Sequence, residues 1–221
     1  MAAFHPLAEN LPAEFPVFPL AGALLLPRGK LPLNIFEPRY LAMVEDALAA
    51  GRMFGMIQPD PHAPEAESGP GLFRIGCLGR LSSFSETEDG RYLITLTGLI
   101  RFTVNGELPM RRGYRRIRGD FGPWLPDLDL SPSPLGVERE ALLTALRSYF
   151  AGRNIDANWD AIRRMPDEAL VVTLAMVCPF EPVEKQALLE APDDAERAAT
   201  LLTLLQMGAA GQGLPPGQAA S

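Results

Sequence analysis

The sequence predicts an α+β chain in two parts: a compact β-barrel or folded-over sheet carrying one helix, then a C-terminal α-helical bundle. Three observations carry this. Up to about residue 120, apolar residues recur with a period of two in short runs, as half-buried strands require. A lone stripe of period 3.6 interrupts them at 38–50. Beyond a stretch at 121–134 with four prolines and two aspartates, the period is 3.6 throughout. There is no βαβ alternation, which argues against a doubly wound parallel sheet.

Taken in order, residues 1–14 read as a flexible arm, 15–122 as the β domain, 123–134 as a linker, 135–207 as the helical bundle and 208–221 as a disordered tail. Phe15–Leu20 is a strand whose two prolines confine it to an edge or a strand end. The loop 22–30 holds Leu24, Leu25 and Leu26, which either pack inward or form an exposed apolar patch suited to binding. Leu31, Leu33 and Ile35 alternate, giving a strand with one buried face. Phe36-Glu37-Pro38-Arg39-Tyr40 then opens a helix, with Glu37 as the cap and Pro38 in the first helical position, where its missing N–H is not needed. Glu37 and Arg39 are expected to tie this helix to the sheet, and Gly51 closes it in a left-handed conformation. Met53–Ile57 is a buried strand, and 58–70 a long proline-rich loop. Leu72–Ser83 is a strand whose glycines at 76 and 79 suggest a bulge or a barrel bend. Asp89-Gly90 marks a hairpin turn, with the return strand at 91–97. Gly98 interrupts it before 100–104, Asn105-Gly106 signals a second turn, and 114–120 is a last strand.

In the helical part, Val137–Ala151 closes at Gly152. Asn158 caps a short helix to Arg164. Pro166 starts a helix so apolar around its circumference that it should be central. Glu181-Pro182 repeats the device of Glu37-Pro38. Asp193 and Glu196 have capping-box spacing at the start of the last helix.

A net charge of −7, with most of the excess acidity beyond residue 134, disfavours nucleic acid as a partner in bulk. The exception is Arg111-Arg112-Gly113-Tyr114-Arg115-Arg116-Ile117-Arg118, five arginines around one aromatic residue. Arg111, Arg112, Tyr114, Arg115 and Arg116 could face phosphates and bases. The competing reading is an edge strand protected by charge, its arginines paired with the acidic helical half. The two cysteines, Cys77 and Cys178, read as buried reduced thiols. No secretory leader is visible, and no apolar run approaches the roughly 20 residues of a membrane span. A cytoplasmic protein is expected.

Catalytic chemistry finds no purchase. The two histidines, His5 and His62, have no zinc spacing around them. Arg28-Gly29-Lys30-Leu31 lacks the earlier glycine and following hydroxyl of a phosphate loop. No nucleophile elbow exists. Lys30 and Lys185 are the sole lysines, and Lys185 reads as a solvated helix residue. No catalytic, metal or cofactor residue is assigned, and no cofactor is expected.

With these residues in view, the chain resembles the Lon protease N-terminal domain family. The resemblance rests on Phe18-Pro-Leu20, Leu31–Tyr40 with its helix, Phe54-Gly-Met-Ile57, Ile75-Gly-Cys-Leu-Gly79, Thr97-Gly-Leu-Ile-Arg-Phe102 and Glu184–Glu190, and covers about 15–207. It implies a PUA-like β domain backed by a helical bundle. It also implies a free-standing, non-enzymatic member without ATPase or peptidase domains, which engages unfolded or client proteins and works with a separate Lon-type protease. Binding is expected at Leu24–Leu26, in the groove between the two parts, or by strand addition at a sheet edge. Phe36–Tyr40 is expected to be structural. RNA binding through the arginine run is the alternative. Oligomeric state is open.

Overall fold

A computed structural model describes residues 7–131 and 134–210. Residues 1–6 of the expected arm and 211–221 of the expected tail therefore lie outside the described residues. At their inner edges a short 3-10 turn occupies Ala8–Asn10 and the last helix runs on to Ala210.

The strands are β1 (Glu14–Pro19), β2 (Lys30–Ile35), β3 (Met53–Ile57), β4 (Ile75–Glu86), β5 (Tyr92–Arg111) and β6 (Tyr114–Asp120), with helix α1 (Pro38–Ala49) after β2. The order is β2-β5-β4-β3-β1-β6, and β6 also pairs with β5. Five strands therefore close in a ring, β5-β4-β3-β1-β6-β5. Strand β5 makes this possible by its length: it pairs with β2 over 92–97, with β4 over 92–103 and with β6 over 103–111. Strand β2 lies outside the ring and is bonded to β5 alone.

Two turn expectations need correction. Gly98 and Asn105-Gly106 do not end a strand. Both are irregularities within β5, where the ladders to β4 and β6 shift register. The second tight turn lies at Arg112-Gly113, with φ of 48° and 85°, the left-handed pair that a two-residue hairpin needs. Strand β1 is not an edge. It pairs with β6 over 14–17 and with β3 over 17–19, so only Val17 is bonded on both sides. Pro16 and Pro19 each sit where one side is open, which is how an inner strand tolerates them.

Inside the ring, Phe15, Val17, Ile57, Leu78, Leu99, Ile100, Phe102 and Ile117 form one core. The alternating residues Phe18, Phe54, Met56 and Cys77 point the other way, into a second and larger core.

The second core is built with the helices α2 (Arg139–Arg153), α3 (Trp159–Arg164), α4 (Asp167–Val177), α5 (Pro182–Glu190) and α6 (Asp194–Ala210). Asn158 caps α3 through Oδ1, which accepts from the Ala161 N–H at 3.0 Å. Glu184 reaches back to the Glu181 N–H at 2.8 Å, and Asp193 accepts from the Glu196 N–H at 2.8 Å. Helix α2 ends at the left-handed Asn154 (φ 52°), not at Gly152. Leu170, Val171, Leu174 and Ala175 of α4 are buried together with Leu24–Leu26, Leu81 and Leu96 from the sheet side. The β and helical parts thus share one core. The expected linker is in part a 3-10 helix, Gly122–Leu128, whose Trp124 packs on the ring core.

Candidate functional site

Leu24, Leu25 and Leu26 are at most 2% exposed and form no surface patch. Of the two readings open to them, inward packing is the one observed. The loop is hydrogen-bonded to the sheet, Arg28 N–H to the Gly98 carbonyl at 2.9 Å and Gly98 N–H to the Gly29 carbonyl at 2.8 Å. It can lie that close because Gly79 and Gly98 have no side chains. A Cβ on Gly98 would stand 2.0 Å from the Leu26 carbonyl oxygen, and one on Gly79 2.8 Å from Leu25. The leucines therefore fill the space between sheet and helices, where a binding groove was expected.

The rest of that junction is held by arginines. Arg101, 3% exposed, gives two hydrogen bonds to Asp127 (2.9 and 2.7 Å). It also donates to the carbonyls of Leu189, Ala191 and Pro192 at the end of α5. Its guanidinium lies 4.1 Å from the centre of the Trp124 ring. Arg28 bridges Glu168 and Asp194, and Arg197 bonds Asp194 and the Leu188 carbonyl. Neighbouring arginines hold the Asp194 carboxyl below its usual range against the opposing effect of burial.

The five-arginine run is also occupied. Arg111 and Arg112 meet Glu45 and Asp46 of α1. Arg115, 5% exposed, is chelated by Glu107 and the Pro70 carbonyl. Arg116 and Arg118 share Glu14. Tyr114 donates its hydroxyl to Asp46 at 2.7 Å. Burial, followed by that carboxylate, pushes the phenol up to about 12, while the same bond lowers Asp46. The partners are carboxylates of the β part and α1, not of the helical part as expected. Nor is β6 an edge, since β1 and β5 flank it. Every arginine of the run is thus matched to an acid, so none of the five stands as a free cation for nucleic acid.

Phe36–Tyr40 divides between core and surface. Tyr40 is buried against Phe18, with ring centres 4.1 Å apart. The Glu37 carbonyl accepts from the Tyr40 and Leu41 N–H groups, but its carboxylate makes no cap bond. It pairs with Arg39 at 2.8 Å instead. A charge-assisted contact to a guanidinium two residues away competes successfully with one backbone N–H. Neither side chain ties the helix to the sheet.

Phe36 is 63% exposed, a feature the sequence pattern did not single out. It follows the end of β2, where Ile35 pairs with Tyr92 and Asn34 with Leu93. On β4, Phe84 is 42% exposed and packs at a tilt against Tyr92 of β5 (5.0 Å), and Leu93 of β5 is 47% exposed on the opposite face. Three exposed apolar side chains thus gather at one end of β2, β5 and β4. Pro32 of β2 pairs with Thr95 and has no N–H to give, so its nitrogen faces away from β5. By alternation the N–H groups of Lys30 and Asn34 face outward too, along an unpaired edge.

Neither thiol nor Lys185 is an activated nucleophile. Burial pushes both thiols up, Cys178 to about 12, the opposite of an activated thiolate. Lys185 is 8% exposed, not solvated as expected. Its ammonium donates to the Gly22 carbonyl at 2.7 Å and to the Met176 carbonyl near the end of α4. Burial lowers its pKa. Among the described residues no group of three or more His, Cys, Asp or Glu could hold a metal ion, and no helix is long and apolar enough to cross a membrane.

Comparison with known proteins places this geometry. The model of the ATP-dependent protease La (LON) substrate-binding domain matches residues 14–207. The match lies in that domain and not in protease or ATPase domains. Lon protease 2 of Sorangium cellulosum is 30% identical over 138 residues, 60% of this chain and 16% of that protein. Lon protease 1 of Thermus thermophilus is 25% identical over 205 residues, 90% of this chain and 25% of that protein. The chain thus spans a quarter or less of the length of these relatives. Among solved structures, a Lon N-terminal domain protein from Xanthomonas campestris superposes with a TM-score of 0.56 at 24% identity, covering 86% of this chain and 97% of that one. The N-terminal domain of a Mycobacterium avium complex Lon protease gives 0.56 at 14% identity, covering 87% and 97%.

Proposed function

The chain belongs to the Lon substrate-binding domain family, and from that premise we propose that it is a non-catalytic module binding exposed apolar segments of unfolded or client proteins. One observation carries the reading: the unpaired edge of β2 ends in the exposed Phe36, with Leu93 of β5 and Phe84 of β4 exposed on opposite faces at the same end of the sheet. An edge strand supplies main-chain hydrogen bonds to any extended segment, and the neighbouring apolar side chains select what it carries. In this reading the closed ring is a PUA-like barrel and α2–α6 a bundle that braces it. The module works in the cytoplasm, handing clients to a separate Lon-type protease. Client binding is assigned to this edge and not to Leu24–Leu26.

The test is fluorescence anisotropy with a labelled, permanently unfolded protein such as reduced, carboxymethylated casein. The natural chain should bind. A Phe36→Ser/Phe84→Ser variant should keep its melting temperature and lose affinity at least about tenfold, since each phenylalanine buries roughly 1.5–3 kcal/mol of apolar contact. A natural chain that ignores the client, or a variant that binds as well, ends the proposal.

A further inference from the structure

At the opposite end of the unpaired edge, Gly29 and Lys30 face α4 across a cleft of about 320 Å³. Gly29 fixes its floor, since a Cβ there would lie 2.3 Å from the Met176 sulfur and 3.2 Å from Val172. The wall on α4 is mainly apolar, Ala169, Val172, Met176 and Val177, the last 65% exposed, with Thr173 among them. Of the charges at the mouth, Arg28 and Glu168 neutralise each other. Lys30 does not. It is exposed and has no ion-pair partner among the described residues, in a chain of net charge −7. Its own N–H also faces outward along the strand edge. An apolar cleft, an unpaired ammonium and a main-chain donor therefore meet at one residue.

We propose that this cleft receives an apolar side chain of an extended client segment, and that the Lys30 ammonium pairs with a carboxylate of the same segment. The proposal rests on the protein-binding reading above and assigns that edge a chemical preference. A strand laid along 30–34 advances about 3.3 Å per residue, so a segment of five or six residues reaches the cleft while still bonded to Asn34. The carboxylate is either a free chain terminus or an acidic side chain. The chemistry is shared, and the peptides below separate the two sources.

Three labelled, leucine-containing hexapeptides are titrated with the full chain by anisotropy. One has a free C-terminal carboxylate, one a C-terminal amide, and one an amide with glutamate beside the leucine. At low salt at least one carboxylate peptide should bind about threefold tighter than the neutral amide. High salt should erase the difference, as expected of an exposed ion pair. Lys30→Gln should remove that preference and leave the amide peptide unchanged. Val177→Asp should weaken all three at least about tenfold. Both sites are exposed, so melting temperatures should hold. The proposal is overturned if carboxylate and amide peptides bind alike, if Lys30→Gln weakens both equally, if Val177→Asp changes nothing, or if no peptide binds up to about 1 mM. Should unfolded casein still bind and still be lost in the Phe36/Phe84 variant, the cleft alone is wrong. Should casein not bind either, both readings fall.

Discussion

Replacing Arg101 with methionine tests what joins the two parts of the chain. The guanidinium is 3% exposed, paired with an Asp127 carboxylate that is 8% exposed, and it also holds three carbonyls at the end of α5. Methionine restores the apolar stem but leaves a buried carboxylate short of its cation. Breaking a buried pair from one side costs about 3–5 kcal/mol. The Arg101 backbone N–H still donates to Asp127 at 2.9 Å, which softens the loss. The carbonyls, orphaned unless water enters, add to it. A loss of about 4 kcal/mol is expected, a large share of the roughly 5–15 kcal/mol typical of a folded protein. The double variant Arg101→Met/Asp127→Leu removes the unpaired charge but not the orphaned carbonyls, so it should recover about half. Urea unfolding followed by circular dichroism and tryptophan fluorescence measures both, with Trp124 and Trp159 reporting from the two sides. A loss below about 1 kcal/mol for Arg101→Met, or a double variant no better than the single, would refute the argument that this arginine clamps the helices to the sheet.

Three further outcomes are expected. Gly98→Ala should cost about 3 kcal/mol or fail to fold, because its Cβ would meet the Leu26 carbonyl at 2.0 Å and backbone cannot yield as a flexible side chain can; thermal melts show this. The Tyr114 phenol is raised from 10.0 to about 12 in the folded state. The stability it contributes is therefore intact below pH 10 and lost as pH rises to about 12. Tyr114→Phe should cost about 1–2 kcal/mol at neutral pH and flatten that alkaline limb in denaturation midpoints measured against pH. Glu37→Ala should change urea stability by no more than about 0.5 kcal/mol, since it loses an exposed ion pair and not the cap worth about 1 kcal/mol that sequence alone suggests.

What sequence could disclose here follows from range. Local chemistry was legible: the strand and helix around Pro38, the Asn158 cap, the Asp193–Glu196 spacing and the change of period after residue 134 all depend on near neighbours. Long-range contacts were not. Lys185 looks solvated until the Gly22 carbonyl, far back in the chain, arrives to accept its hydrogen bond. The arginine run looks like a basic face until Glu14, Glu45, Asp46 and Glu107 are folded against it. Gly98 reads as a strand breaker, but the strand continues, and the glycine is there because another segment's backbone passes over it. Phe36 is silent in the other direction: the pattern places it in a structural motif without marking it as exposed, and only strand order shows that β2 has no strand on its outer side.

That strand order also constrains where a client can be held. The interior of the space between sheet and helices is taken by three buried leucines and a network of arginines and carbonyls, so admitting a peptide there would mean breaking buried ion pairs at several kcal/mol each; the cleft between Lys30 and α4 opens only at the outer rim of that junction. The ring strands β1, β3, β4 and β6 each pair with two neighbours, although β1 and the far end of β4 are bonded on one side only over part of their length. Among the described strands β2 alone has a single neighbour along its whole length, and natural sheets commonly guard such an edge with proline or lysine. Both guards are present, Pro32 and Lys30, yet the edge ends in exposed phenylalanine on one side and opens into an apolar cleft on the other. Proline at its middle removes one donor and so discourages pairing with a second regular strand. It leaves the donors of Lys30 and Asn34 free for a shorter segment, anchored by its side chains. An edge protected against sheet growth and open at its ends suits transient capture of extended chains, and that combination makes β2 the place to test first.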